Sequence, residues 1–325
     1  MCYVIGTDEA GYGPNLGPLV ISATVWRLPG RKSDCDLYER LAAFITHCPK
    51  RAADPECQRL LLADSKVLYK AGQGIHALER GVLALLACIG HRPVEWSEIW
   101  DLLAPGSDQH RRLEPWYAGY RGPLPLEADS SDLEAIAAII AKGLKSCRSR
   151  LHAVRSRAVF PGQFNERTLQ HGTKGAALSE MTLELLAETI GLLALDDEPI
   201  YVICDKHGGR NRYGALLQRH FPEWLVEVHR EGAEESIYRW GPKNRRIEVR
   251  FRCRAEAFLP AAVASMTSKY LRELAMRAFN DFWRQQIPDL RPTAGYPGDS
   301  TRFKNDIALT QASLGVEDRI LWRDR

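Results

Sequence analysis

The chain has 325 residues, of which 45% are apolar and 26% are charged, and its formal net charge is +3. This length exceeds the roughly 100–200 residues of a typical domain and allows a large core. A net charge this small identifies no partner, so any basic binding surface must be local. No apolar run approaches the roughly 18 residues of a membrane span, and residues 1–5 lack a basic region before an apolar segment. We therefore expect a cytoplasmic protein without a membrane span.

The cysteines argue against disulfides and against a structural metal site. There are eight, none of them in a Cys-x-x-Cys pair, and they are spread through a chain too large to need crosslinks. Cys204 and His207 come nearest to a metal-binding cluster, but no second pair of Cys or His ligands accompanies them. Reduced thiols are predicted.

Strands and helices alternate along the sequence. Residues 3–7 form a short apolar run before a glycine-rich connection, and residues 19–26 form a second run, which predicts two strands paired antiparallel. Residues 199–204 are uninterruptedly apolar, as in a strand buried on both faces. Residues 247–253 predict a further strand.

Helical periodicity fills much of the remaining sequence. It covers residues 75–89, 132–144, 178–190 and 261–283, and Ser131 with Glu134 forms a candidate capping box. Residues 92–152 mix aromatics with prolines and scattered charge, which indicates an insertion, whose aromatics either pack onto the main domain or stack on unpaired bases. We predict one α/β domain over residues 1–325, with residues 92–152 inserted in it.

The strongest chemical signal is an acidic pair, Asp8 and Glu9, followed by Gly11-Tyr12-Gly13. Adjacent carboxylates repel unless a cation holds them, and hard oxygen ligands suit magnesium or manganese. Neighbouring side chains of a strand face opposite ways, so a shared site requires the chain to bend here.

Two other interpretations of this pair remain open. Asp8 and Glu9 can be solvated loop acids that cap or salt-bridge nearby groups. A dinucleotide-binding loop is the second interpretation, but the glycine spacing differs by one residue and two carboxylates would face the pyrophosphate. A second acidic centre, Asp205, directly follows the strand at residues 199–204, where α/β sheets place ligand crevices. It can equally be an acid in an ordinary strand-to-helix turn.

Taken together, these residues resemble the ribonuclease HII family. Several motifs match it in order, namely Asp8-Glu9-Ala10-Gly11-Tyr12-Gly13 with Gly17-Pro18-Leu19-Val20, Asp64-Ser65-Lys66, Asp205, Ala264-Ser265-Met266 with Lys269 and Arg272, and Gly295-Tyr296. The resemblance covers residues 1 to about 90 and about 155 to 305. It implies a ribonuclease H-like fold with a mixed central β-sheet, flanking helices and a helical C-terminal portion.

The sequence departs from the family at two places. The family's Gly-Arg-Gly loop is Gly11-Tyr12-Gly13 here, and Ala255 stands where the family usually has a fourth acid. The adjacent Glu256 is assigned that role, with a site of three acids as the alternative.

The resemblance also implies an activity and a set of site residues. The activity is hydrolysis of the RNA strand of RNA/DNA hybrids, or of the phosphodiester 5′ of a ribonucleotide embedded in DNA, with two Mg²⁺ or Mn²⁺ ions. Catalysis and metal binding fall to Asp8, Glu9, Asp205 and Glu256. Substrate binding falls to Gly11, Tyr12, Gly13, Lys66, Ser265, Lys269, Arg272 and Tyr296. Two rival functions are a structure-selective DNA nuclease of the same fold and a non-catalytic nucleic-acid-binding protein with a degenerate site.

Overall fold

The computed structural model describes residues 1–30, 36–54, 57–70, 72, 74–193 and 197–323. Its strands form one large mixed sheet and one short pair. The strands are β1 Cys2–Ala10, β2 Leu19–Leu28, β3 Ile45–Thr46, β4 Leu60–Leu61, β5 Arg150–Val159, β6 Ile200–Asp205, β7 Glu227–Glu231, β8 Glu235–Trp240 and β9 Ile247–Arg252.

The large sheet has seven strands in the order β5-β2-β1-β6-β9-β8-β7. Strand β1 pairs antiparallel with β2, as predicted, and β2 pairs antiparallel with β5. On its other side β1 runs parallel to β6, which runs parallel to β9. The carboxyl ends of β1, β6 and β9 therefore lie at one edge of the sheet.

Helices cover both faces of this sheet. They are α1 Leu37–Arg40, α2 Pro49–Ala52, α3 Ser65–Leu68, α4 His76–Cys88, α5 Trp96–Leu103, α6 Asp108–Leu113, α7 Ser130–Ser146, α8 Pro161–His171, α9 Lys174–Gly191, α10 Gly214–His220, α11 Leu259–Gln286, α12 Pro297–Ser313 and α13 Asp318–Leu321. One core lies between the sheet and α11, with α4 and α7 behind it, and a second core lies between the sheet and α9. The predicted α/β fold, with a mixed central sheet, flanking helices and a helical C-terminal portion, is confirmed.

One detail of the predicted helices is wrong. The N-cap of α7 is Asp129, whose carboxylate accepts hydrogen bonds from the backbone N–H groups of Ser131 and Asp132. The predicted capping box of Ser131 and Glu134 does not form, because α7 already begins at Ser130, and Glu134 pairs with Arg92. Asp129 caps the first turn of α7 instead, because its short acidic side chain reaches these otherwise unpaired N–H groups.

The start of α11 lies unusually close to β1. A Cβ atom added to Gly6 would lie 2.1 Å from the backbone nitrogen of Ala261 and 2.2 Å from the carbonyl carbon of Pro260. On the neighbouring strand, Thr24 Oγ1 donates a 2.7 Å hydrogen bond to the Pro260 carbonyl. Glycine at position 6 therefore sets the distance between the helix and the strand that carries the acidic pair.

We expect Gly6→Ala to lower the free energy of unfolding by at least about 3 kcal/mol, because the added methyl group meets backbone atoms that cannot rotate away. Urea denaturation followed by circular dichroism measures the loss. Gly191→Ala is the matched control, since a Cβ at this helix end meets no heavy atom within 4 Å. Equal stability of the two variants would contradict the close packing of α11 on β1.

Aromatic residues of the segment 92–152 pack against α11. Trp96, Trp100, Trp116 and Tyr117 are all buried, and Trp96 Nε1 donates to the Leu274 carbonyl at 3.1 Å. This burial confirms packing onto the main domain and leaves these four rings unavailable for stacking on bases. That residues 92–152 are an insertion stays a prediction, and β5 already begins at Arg150.

A buried carboxylate holds the middle of this segment in place. Glu79 on α4 accepts hydrogen bonds of 2.6–2.8 Å from the backbone N–H groups of residues 126–128 and from the Tyr270 hydroxyl. Four donors satisfy a carboxylate that is 0% exposed. The segment is thus tied to both α4 and α11.

Free thiols, as predicted, are present at Cys48, Cys57, Cys88, Cys147, Cys204 and Cys253, and Cys35 lies outside the described residues. None of the helices in the described ranges combines the length and apolar character needed to cross a membrane.

Candidate active site

Acidic residues gather where β1, β6 and β9 end. Asp8 and Glu9 lie near the end of β1, and Asp205 is the last residue of β6. Glu256 lies in a short 3-10 turn, Ala255–Ala257, between β9 and α11. The parallel pairing of the three strands brings these residues, far apart in sequence, to one edge of the sheet.

The acidic pair does not sit at a bend, contrary to expectation. Strand β1 continues to Ala10 in regular register with β2, so Asp8 and Glu9 face opposite sides. Cys2 and Val4 belong to the core beneath α11, which places Asp8 on that side, and Glu9 faces the α9 side. The chain turns only after the pair, at Gly11, where φ is +94°.

Asp8 is half-buried, and its surroundings oppose its negative charge. Burial raises the pKa of its carboxyl well above the usual value, and the charges of Glu9 and Asp205 raise it further. A hydrogen bond from Ser265 on α11 partly opposes this rise. The main chain is also held, because Ser268 Oγ donates to the Asp8 carbonyl at 3.0 Å.

The surroundings of the neighbouring acids also oppose their negative charge. Burial and the charge of Asp205 raise the pKa of Glu9 from 4.5 to about 7, although Lys66 opposes the rise. Burial also raises the pKa of Asp205, against hydrogen bonds from the backbone N–H groups of Lys206 and Ala255. Across the sheet edge, negative charge is therefore only partly compensated.

Lys66 is a cation beside these acids. Burial opposes its charge, yet the carboxylates of Asp64, Asp8, Glu256 and Asp205 raise its pKa overall. The structure thus brings Lys66 and Glu256 into the electrostatic environment of the predicted site. The role of Glu256 as a fourth acid stays a prediction.

Asp64 is a further acid at this site that the sequence reasoning missed. Ser265 Oγ lies 3.0 Å from Asp64 Oδ1 and 3.0 Å from Ser65 Oγ, which links α3 to α11 directly above Asp8. The signal was present in Asp64-Ser65-Lys66, from which only the lysine was taken as a candidate. Ser265, which was predicted to bind substrate, here connects α11 to the segment that carries Asp64 and Ser65.

The glycine loop, residues 11–18, joins the acidic pair to β2. A side chain at Gly11 would lie 2.6 Å from the Pro18 carbonyl oxygen, so only glycine fits at its positive φ. The Gly295 carbonyl accepts hydrogen bonds from Asn15 and Leu16, which brings Tyr296 against Gly13. The structure thereby places together the loop and the tyrosine that were predicted to contact substrate.

Tyr12 turns toward the α9 side of the sheet. Cβ atoms added to Gly175 and Gly208 would lie 3.6 Å and 3.9 Å from its hydroxyl oxygen. Burial and the charge of Glu9 raise the pKa of this hydroxyl. Tyr12 therefore contributes a neutral ring beside Glu9 where the resembled family has a cation.

Two of the three residues predicted to contact phosphate bind other groups of the protein instead. Lys269 Nζ forms a 2.5 Å ion pair with Glu273 and lies 4.2 Å from the centre of the Tyr69 ring. Arg272 is only 1% exposed and donates to backbone carbonyls. Lys66 is the exposed cation of the three.

The donor set suits a divalent cation. Half-buried carboxylates with raised pKa values are stabilised by a nearby positive charge, and hard oxygen donors favour Mg²⁺ or Mn²⁺. As the side chains stand, no three His, Cys, Asp or Glu residues of the described ranges are placed to hold a metal ion. The observation that fits a cation is the raised pKa of Asp8, Glu9 and Asp205, which a positive charge beside them would lower.

Comparison with known proteins gives no family assignment. No protein-family model matches the sequence, and no curated protein is similar to it. The solved structures to which the chain is similar include ribonucleases H. They include RNase HII of Archaeoglobus fulgidus in complex with PCNA, at 14% identity and TM-score 0.42 over 99% of this chain and 94% of that one.

Two others are ribonuclease H2 of Pyrococcus horikoshii OT3 and Bst-RNase HIII in complex with Mn²⁺. The first has 17% identity and TM-score 0.42 over 98% of this chain and 92% of that one. The second has 15% identity and TM-score 0.40 over 99% of this chain and 66% of that one. Similarity at this level transfers no activity, metal or partner to this chain.

Proposed function

We propose that this chain is a metal-dependent endonuclease of the ribonuclease H type. Its substrate is the RNA strand of an RNA/DNA hybrid or a DNA duplex with embedded ribonucleotides, cut 5′ of the ribonucleotide. The observation that carries the proposal is the gathering of Asp8, Glu9, Asp205 and Glu256 at the carboxyl ends of parallel strands, where burial and then mutual repulsion raise the pKa values of the first two. A purely structural cluster would be expected to carry its own counter-charges.

In this proposal the four acids hold two Mg²⁺ or Mn²⁺ ions. When bound, these ions supply Lewis-acid stabilisation of the attacking and leaving oxygens of an in-line displacement. Ser265 and Ser268 fix Asp8 through its carboxyl group and its carbonyl. Lys66, exposed at the edge of the cluster, contributes positive charge toward a substrate phosphate.

Sugar discrimination in this proposal falls to the glycine loop and Tyr296. Telling RNA from DNA requires groups that read the 2′ hydroxyl at close range, as donor or acceptor. Backbone groups of residues 11–13 are partly exposed beside Tyr296, which is 49% exposed. A backbone contact survives the replacement of arginine by Tyr12, because it does not depend on the side chain.

The test uses labelled duplexes with one ribonucleotide, a run of ribonucleotides, or none, incubated in Mg²⁺ and then in Mn²⁺ beside Asp8→Asn. We expect cleavage only at ribonucleotides, and none by the variant. Cleavage of the all-DNA duplex would favour a structure-selective DNA nuclease. Binding without turnover in either metal would instead support a non-catalytic nucleic-acid-binding protein.

A further inference from the structure

Two buried arginines lie behind the glycine loop. Arg272 comes from α11, and Arg323 follows α13 in the C-terminal segment, with exposures of 1% and 0%. Burying a guanidinium is costly unless an anion or several acceptors compensate it. Neither arginine forms an ion pair with a carboxylate of the described residues, and Asp324 lies outside those residues.

Arg272 holds the loop from the α11 side. Its Nη1 donates to the Pro18 carbonyl at 3.0 Å, and its Nη2 donates to the carbonyls of Leu16 and Ala294 at 3.3 Å and 3.0 Å. One side chain therefore fixes the end of the loop and the segment that precedes Tyr296.

Arg323 holds the beginning of the same loop. Its Nη1 donates a 2.6 Å hydrogen bond to the Gly11 carbonyl, and its backbone N–H donates to the Asn15 carbonyl at 2.8 Å. The guanidinium lies 4.9 Å from the centre of the Phe164 ring. Its Nε and Nη2 atoms are buried and have no hydrogen-bond partner among the described residues.

The two arginines also repel each other. Burial lowers the pKa of Arg272, while burial and the charge of Arg272 lower the pKa of Arg323. The loop itself carries a neutral residue, Tyr12, and Lys269 on α11 is paired with Glu273. Within the described residues, this positive charge is balanced only by backbone carbonyls and by the nearby carboxylate of Glu273, so an external anion on the loop would add to the compensation.

We propose that Arg323 and Arg272 form a cationic clamp that holds the glycine loop in place and attracts a nucleic-acid phosphate to its outer face. Arg323 is a positioning residue, because it acts on the substrate through Gly11. The clamp deepens the proposed function and rests on it. It makes the C-terminal segment part of the substrate site, although no motif of that segment suggested this.

The test compares the full-length chain with Arg323→Met, Arg323→Lys and Asp324→Asn. Arg319→Met is the matched control, because Arg319 lies in the same segment with a side chain that is 77% exposed. Measured quantities are KM and kcat on a duplex with one ribonucleotide, and the salt dependence of duplex binding by fluorescence anisotropy. Melting temperature and Mn²⁺ affinity without duplex serve as readouts of the fold and the acidic site.

We expect Arg323→Met to raise KM roughly tenfold and to make duplex binding less dependent on salt, with Mn²⁺ affinity unchanged. Arg323→Lys keeps the charge but cannot both stack on Phe164 and reach Gly11, so KM rises while the salt slope stays. Arg319→Met and Asp324→Asn should behave as the wild type. A folded Arg323→Met with unchanged KM and salt slope overturns the clamp.

If Arg323→Met does not fold, the lysine variant decides, because an unchanged KM in Arg323→Lys also overturns the proposal. The outcome is separable from failure of the proposed function. If the wild type binds duplex without cutting it, the proposed nuclease activity is wrong. The salt dependence of binding by the wild type and Arg323→Met still tests the clamp. A loss of Mn²⁺ affinity in a folded Arg323→Met would place the residue at the acidic site and contradict the assignment.

Discussion

Replacing Asp8 by asparagine should abolish cleavage of ribonucleotide-containing duplexes while the chain remains folded. The several kcal/mol that metal ions contribute to transition-state stabilisation correspond to a loss of roughly 10³-fold or more. Asn keeps the shape of Asp8 and the neighbouring contacts of Ser265 and Ser268, but it removes the charge that a divalent ion requires.

The measurement is single-turnover cleavage in Mg²⁺ and in Mn²⁺ up to high concentrations. Asp289→Asn, at an exposed position after α11, is the matched control and should retain full activity. Retained cleavage by Asp8→Asn at high metal concentration would remove Asp8 from the centre of the site.

Without metal, the protein should become less stable as the pH rises from about 5 to 8. The folded state raises the pKa of Glu9 from 4.5 to about 7, so it binds a proton more tightly than the unfolded chain does. Stability is therefore highest when Glu9 is protonated in both states, and it falls as the pH rises through the folded pKa. A shift of this size corresponds to a loss of up to about 3 kcal/mol.

Urea denaturation in EDTA at pH 5, 6, 7 and 8 measures this loss, and Glu9→Gln isolates the contribution of Glu9. The variant should be more stable than the wild type at pH 8 and nearly equal to it at pH 5, where the wild-type carboxyl is largely protonated in the folded state. Mn²⁺ at pH 8 should stabilise the wild type more than the variant. Parallel pH profiles of the two proteins would show that the folded state does not raise the pKa of Glu9.

The position of the acidic site was predictable because strand ends are visible in the sequence. The apolar runs before Asp8 and Asp205 define two buried strands, and parallel strands bring their carboxyl ends together. The direction of each side chain was not predictable in the same way. Whether the chain bends at Asp8 and Glu9 depends on the register between β1 and β2, which only the folded sheet fixes.

The hairpin of β7 and β8 was missed because its outer strand lacks an apolar face. All five residues of Glu227–Glu231 are exposed, so the alternation that predicts a half-buried strand is absent. Charged residues are common on edge strands, where they discourage pairing with other chains. Sequence periodicity detects burial, and this strand has almost none.

The environments of Arg272 and Arg323 could not be predicted from the sequence for a different reason. Arg272 was assigned to the surface as a phosphate contact, but α11 is buried on most sides and encloses it. The surroundings of a helix cannot be read from the helix alone. Arg323 reaches Gly11 across 312 positions of the chain, and no local pattern indicates so distant a contact.

That distant contact has a consequence for folding kinetics. Closing a connection of this length costs more entropy than forming local helices, so the hydrogen bond between Arg323 and Gly11 should form among the last contacts. The glycine loop would then be fixed only after the sheet and α11 have assembled around it. During refolding, recovery of the helical signal should precede recovery of substrate binding, and the interval between them reports the arrival of the C-terminal segment.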